Sequence, residues 1–215
     1  MKPRLVVLSA VCMSLLAAPA KLQFTKSFPG SVPPYCSVEV DKSGGLTYKE
    51  APTDDRPLTA QLLSADAEAM FDLAQKLDNF KSPLESGLKV ANTGKKTFRY
   101  QDENGAATEV VFNYSTNLLA QQLLERFERI AASERAYLEL DRTIHFDKLG
   151  VNDALAEIES LWLRKELTAP DQFLPLLTRI ATHEAFMHLV RDRAARLKDE
   201  FQAPQTVSAN DRKEK

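Results

Sequence analysis

The side chains with the most chemistry to offer lie in one stretch, His183-Glu184-Ala185-Phe186-Met187-His188. Zinc proteases carry H-E-x-x-H on a helix, where two ligands four residues apart sit about 40° from each other and reach one ion. Here the spacing is H-E-x-x-x-H, which on a regular helix sets His183 and His188 about 140° apart. They point to different sides, and the zincin pair fails. Projected on such a helix, His183 joins the stripe of Ile180, Met187 and Ala194 and is expected in or beside the core. His188 falls on the flank, four residues after Glu184, where an exposed pair contributes roughly a few tenths of a kcal/mol.

The third histidine, His145, ends a long helical pattern, where a positive side chain suits the helix dipole. A capping or surface place is expected for it. Three scattered histidines without cysteine partners make a poor metal inventory. An acid–base site assembled from distant positions would draw first on His145, His183 and His188 with Asp147 and Glu184.

Other matches are weaker. Ser86-Gly87-Leu88-Lys89 fits S-x-x-K, but the S-D-N and K-T-G partners of penicillin-recognising enzymes are missing from the sequence. Asp54-Asp55 lacks the alternating oxygen ligands of a calcium loop. Asn113-Tyr114-Ser115 is a glycosylation sequon at a strand end. Arg191 and Arg193 invite an anion, yet Arg191 projects near the apolar stripe and is expected to reach back to Glu184. The sequence therefore assigns no catalytic, cofactor-binding or metal-binding residue.

The elements that would position these side chains read as α+β. Residues 21–34, with three prolines and a glycine, read as an extended leader. Tyr35 to Val40 and Leu46 to Lys49 form a hairpin across Asp41-Lys42-Ser43-Gly44-Gly45. A polar loop and the N-cap candidate Ser64 precede an amphipathic helix over 65–80 along Met70, Leu73, Leu77 and Phe80. KTFRYQ and ATEVVFNY make a second hairpin around Asn104-Gly105, a pair that tolerates positive φ in a tight turn. The expectation is a four-stranded, mainly antiparallel sheet (ββαββ) followed by three C-terminal helices at about 117–142, 153–166 and 175–201. The stripe Leu119, Leu123, Phe127, Ile130, Tyr137 should cover the sheet in one continuous core. Residues 35–201 would form the α+β domain, its helical half spanning 117–201, and 202–215 a disordered tail.

The chain opens with Lys2 and Arg4, an apolar run from Leu5 to Leu16, and Ala18-Pro19-Ala20. That is the layout of a signal peptide over 1–20, cleaved after Ala20, which implies a secreted or periplasmic protein without a transmembrane helix after signal removal. Taking Lys2 and Arg4 from 28 basic residues leaves 26 against 30 acidic ones, a formal charge of −4 that gives no electrostatic case for nucleic acid. Of two cysteines only Cys36 survives the cut, so no intramolecular disulfide can form. Alternation places Cys36 with Val38 and Val40 on one strand face, where a buried, inert thiol is expected.

The signal peptide, YCSVEVDKSGGLTYKE, AEAMFDLAQKLDNF, the GKKTFRY hairpin and the helical end together resemble an uncharacterised exported bacterial protein family. The resemblance covers most of residues 35–200 and implies no activity and no functional residue. The reading that follows is an exported, non-enzymatic binding or interaction module, with a protein partner or self-association in prospect. The alternatives are an exported enzyme with a non-motif acid–base site, or an envelope lipid-associated protein.

Overall fold

A computed structural model describes residues 18–203. Most of the expected signal segment (1–17) and the tail from 204 lie outside the described residues. The α+β class holds, with a larger sheet and more helices than expected.

Two Asp-x-x-Gly turns of the same plan organise the strands. Between β2 (Tyr35–Asp41) and β3 (Gly45–Lys49), Asp41 Oδ1 accepts from Ser43 N at 2.8 Å and Gly45 N at 2.9 Å. Between β5 (Lys95–Gln101) and β6 (Ala107–Phe112), Asp102 Oδ1 accepts from Asn104 N and Ala106 N, each at 2.9 Å. The residue after the second peptide must be left-handed, and glycine supplies it: Gly44 at φ +88° and Gly105 at φ +85°. A Cβ on Gly44 would also lie 2.6 Å from Leu62 O. The second turn is thus longer than a two-residue Asn-Gly turn, and the Asp102 carboxylate closes it.

Among the described residues the sheet has six strands in the order β4-β3-β2-β1-β5-β6, with every neighbour antiparallel. The two strands beyond the expected four are β1 (Lys21–Ser27) and the short edge strand β4 (Leu58–Gln61). β1 corrects the reading of 21–34 as a leader. It joins the two hairpins, with Phe24 opposite Val38 on one side and Phe98 on the other. Only Leu22 and Phe24 carry its apolar alternation, both fully buried, and the prolines just beyond masked so short a signal. The inner face is dry, while the other carries Lys21–Glu39 and Arg99–Glu109 ion pairs in water.

Helix α1 (Ser64–Lys76) starts one residue earlier than the cap reading required: Leu63 is the N-cap, and no side chain bonds there. It stops before the expected 80 because Asp78, Asn79 and Phe80 are all left-handed, at φ +52°, +48° and +67°. Conformations of this kind cost about 1–3 kcal/mol each. Phe80 offsets part of that by burial against Phe98, ring centroids 5.3 Å apart.

Helix α2 (Leu118–Phe146) is capped by Asn117, whose Oδ1 accepts from Leu119 N at 2.9 Å. At 29 residues it is roughly 43 Å long and outruns the sheet. Ala120, Leu123, Phe127 and Ile130 pack on the sheet with Phe24, Phe98 and Phe112. Leu140 and Ile144 pack instead with α3 (Val151–Leu163), α4 (Leu174–Thr182) and α5 (His188–Gln202). The single continuous core expected from the sequence is therefore two clusters sharing one helix. The predicted final helix over 175–201 is a hairpin of two, α4 and α5. Folding back lets Leu177 and Ile180 of α4 meet the same core as Val190, Ala194, Leu197 and Phe201 of α5. None of the described helices is long and apolar enough to cross a membrane.

Candidate functional site

The stretch from His183 to His188 is the turn of that hairpin. His183 leaves the helix with ψ 116°, and its Nδ1 accepts from Ala185 N at 3.1 Å. Phe186 is the buried member, edge-on to the His183 ring. His183 itself is exposed, which corrects its expected place in or beside the core. The helix is broken between Thr182 and His188, so the two histidines do not stand at the 140° of a regular helix. His188, at the start of α5, bonds Asp192 Oδ2 at 2.7 Å rather than Glu184. Arg191 makes no described ion pair with Glu184, and its Nε is buried without a partner. Arg193 instead reaches Asn152 Oδ1 at 2.7 Å and Glu159 at 3.4 Å.

His145 does sit in the last turn of α2. Its Nδ1 lies 2.7 Å from Asp141 O and its Nε2 3.1 Å from Arg179 Nη1. A carbonyl only accepts and a guanidinium only donates, so one neutral tautomer, protonated at Nδ1, satisfies both. Asp147 is engaged at the Gly150 amide, 3.1 Å away. The three histidines and Asp147 thus have local partners, Glu184 has none described, and no described bond joins two of the five. Ser86 lies in a loop, its amide donating to Tyr114 O at 2.8 Å, and not at a helix start. Asn113 of the sequon is tied down on both sides, accepting from Thr93 N at 2.8 Å and donating to Ala91 O at 3.1 Å.

A different region gathers functional groups. The connection 28–34 arches over the end of β1 and faces α2, enclosing a cleft of about 330 Å³ lined by Phe24, Phe28, Pro33, Cys36, Ala131 and Ala132. Small residues on α2 leave the room. A second recess, about 450 Å³, continues along α2 past Ala136 and Leu138, and Val32, Pro33, Ala132 and Arg135 line both. Val32 stands 85% exposed at this junction.

Charge enters where the inner face of the sheet runs out. Lys26 and Lys96 lie opposite each other on β1 and β5, a repulsive pairing unless each finds oxygen. Lys26 reaches Glu128 on α2 at 3.3 Å, at the rim of the cleft. Lys96 turns away into a clasp of neutral oxygens, Thr93 Oγ1 and Asn113 O, both at 2.8 Å. Burial, then Lys26, pulls the Lys96 ammonium below its ordinary range. Arg135 stands exposed on α2 beside the cleft and makes no described ion pair.

Cys36, buried at the floor, behaves as its strand alternation predicts. Burial pushes its thiol up, and Lys26 only partly opposes this. A protonated thiol is a weak nucleophile, so the floor acts as apolar surface. The arrangement can hold an apolar body and meet an anionic group at Arg135. Sequence reasoning missed Lys26, Glu128 and Arg135 because none belongs to a motif. The one available signal was Lys26 following Leu22 and Phe24 at steps of two, visible only once β1 is read as a strand.

The chain matches no protein-family model, and no curated protein matches it.

Proposed function

We propose that the protein is an exported, non-enzymatic binding protein whose ligand seat is the cleft between the 28–34 connection and α2. Its ligand would be a small molecule or chain end with an apolar body and one anionic group. The observation that carries this is Arg135, a cation without a described ionic partner, beside a recess floored by Phe24, Cys36, Ala131 and Ala132. At about 330 Å³ the recess falls at the small end of ligand clefts. Export is supported by the fold's first strand, which begins at Lys21, immediately after the expected cut. N-terminal sequencing of the protein recovered outside the cytoplasm tests that part.

The ligand reading is tested by amide NMR with medium-chain carboxylates and their matched alcohols. Carboxylates should shift Cys36, Ala131 and Ala132, and Arg135→Ala should weaken them about tenfold, the effect of one charge-assisted bond. Equal binding of the alcohols would remove the anionic group from the proposal. No shift with either series would sink it.

A second reading, contact with an envelope lipid surface, is favoured by four large side chains at one end of the helical half. Phe146, Leu149, Met187 and Leu189 are 85%, 79%, 57% and 66% exposed, in or beside the α2–α3 and α4–α5 links. Lys148 of the first link stands 6.0 Å from the Phe186 ring of the second. Flotation with anionic vesicles, lost in a Phe146→Ser, Leu149→Ser pair, supports this reading; a protein that stays at the bottom of the gradient rejects it.

A further inference from the structure

Glu134 is fully buried on α2, at the seam between the two cores. Gln172 Nε2 donates to its Oε1 at 2.9 Å, while Glu134 Oε2 and Gln172 Oε1 are both buried without partners. Two orphan acceptors, one on each member of a pair already joined by one hydrogen bond, mark a missing proton. A carboxylic acid and a primary amide close a ring of two bonds, the acid O–H donating to the amide oxygen. A carboxylate in the same place would be a buried charge with one bond and no cation. We infer that Glu134 holds a proton on Oε2, donates it to Gln172 Oε1, and acts as a proton-dependent latch fastening residues 164–173 to α2.

The fastened segment links α3 to α4 and touches both cores, Leu167 in the helical one and Ala169 in the sheet one. Its path requires left-handed backbone at Lys165 and Ala169, φ +58° and +47°, neither of them glycine. Side chains of α2 hold it in that shape. Arg129 Nη2 donates to Lys165 O at 3.2 Å, and Ser133 Oγ accepts from Thr168 N at 2.9 Å. Glu134 and Gln172 add the third tie.

The charged surroundings leave the proton in place. Along α2, Arg129 donates from Nη2 to Lys165 O while its Nε is buried without a partner, and Tyr137 has its phenol pushed up by burial, Asp141 and Glu134. On the segment, Arg164 pairs with Glu166 at 2.7 Å, and Asp171 adds a further acid. On α5, packed behind through Phe201 and Phe173, Lys198 lies 3.6 Å from Asp199. Burial acts on the Glu134 carboxyl first, and the bond from Gln172 opposes it only in part. Burial raises that carboxyl from 4.5 to about 7. Opening the latch exposes an ordinary carboxyl, so opening becomes easier as pH rises between these values and changes little above them.

The test follows the Glu134 side-chain carbon by NMR in the full chain, together with amide exchange at Thr168 in wild type and Glu134→Gln. Glutamine reproduces the neutral ring, with its amide donating where the acid did. Glu134 should titrate near neutrality. Corrected for intrinsic exchange, the Thr168 amide should open about a hundredfold more readily at about pH 7.5 than at about pH 4.5 in wild type. In Glu134→Gln that pH dependence should vanish. Titration of Glu134 in the ordinary carboxylate range would overturn the latch, and so would an equal pH dependence in the variant. Should the variant fail to fold, the wild-type titration decides alone.

Discussion

The two ends of α2 are packed in different ways, though one helix serves both. Its first half faces a sheet and meets aromatic rings: Phe127 lies 5.3 Å from Phe24 and 5.8 Å from Phe98, which in turn touches Phe80 and Phe112. Its second half faces other helices and meets mostly aliphatic chains, with Phe173, Phe201 and Trp162 on one side. The sheet core draws on strands that are distant in sequence, such as β1 and β5. The helical core is built from successive neighbours. Between them lie Ser133, fully buried Glu134 and the 164–173 segment. A polar seam of this kind lets two cores share a helix without merging.

The largest effects should come from the core side chains. Phe127→Ala is expected to cost about 3–5 kcal/mol and Leu140→Ala about 2–5 kcal/mol in urea unfolding. Hydrogen exchange separates them. Phe127→Ala should loosen β1 and β5 first, and Leu140→Ala should loosen α3 and α5 first. If both variants loosen the same amides, the two cores are one cooperative unit and the comparison fails.

Next comes pH. The folded protein keeps on Glu134 a proton that the unfolded chain releases above 4.5, up to about 7. Stability from this group is complete below the lower value and falls by about 3 kcal/mol as pH rises to the upper one. Asp41 works in the opposite sense at the acid end. Burial alone would raise it, but hydrogen bonds from Ser43 and Gly45 hold it below 3.8, so its contribution fades as pH falls. Urea midpoints across this range should drop from acid to neutral in wild type and stay level in Glu134→Gln.

Ser133→Ala should cost about 1–3 kcal/mol, since it leaves the Thr168 amide without its acceptor. The place where the protein loosens matters as much as the size of the loss. Exchange should rise over 165–172 and leave the β1–β5 pairing untouched. A loss confined to the sheet would mean that the seam belongs to the first core.

How much of this was legible in the sequence differs between the two regions for the same reason. The hairpins could be read because alternation and turn residues are local, and so could the class α+β. β1 could not, since a central strand is defined by partners on both sides and only Leu22 and Phe24 announce it. In the helical half the stripes were visible, but the break at His183 carries neither glycine nor proline. It arises because a folded-back hairpin buries Phe186 and both stripes. Glu134 occupied the gap in the stripe between Ile130 and Tyr137, and a carboxylate at an apolar position was the one sequence sign of the latch. The cleft residues came from three separate segments, and apart from the alternation that carries Lys26 and Cys36 they left no sign.

The smallest effects should fall on the residues that looked most like chemistry. His188 is largely solvated and its Asp192 partner lies on the same exposed turn, so His188→Ala should change stability by less than about 0.5 kcal/mol. His183→Ala removes the Nδ1 acceptor of the Ala185 amide, an exposed bond worth about 0.5–1.5 kcal/mol. Both can be read in one urea series, with exchange at Phe186 as the local probe. The hairpin reading requires His183→Ala to exceed His188→Ala and to expose the Phe186 amide. Equal effects would mean that the burial of Phe186 alone sets the turn, with the histidine a bystander to the break.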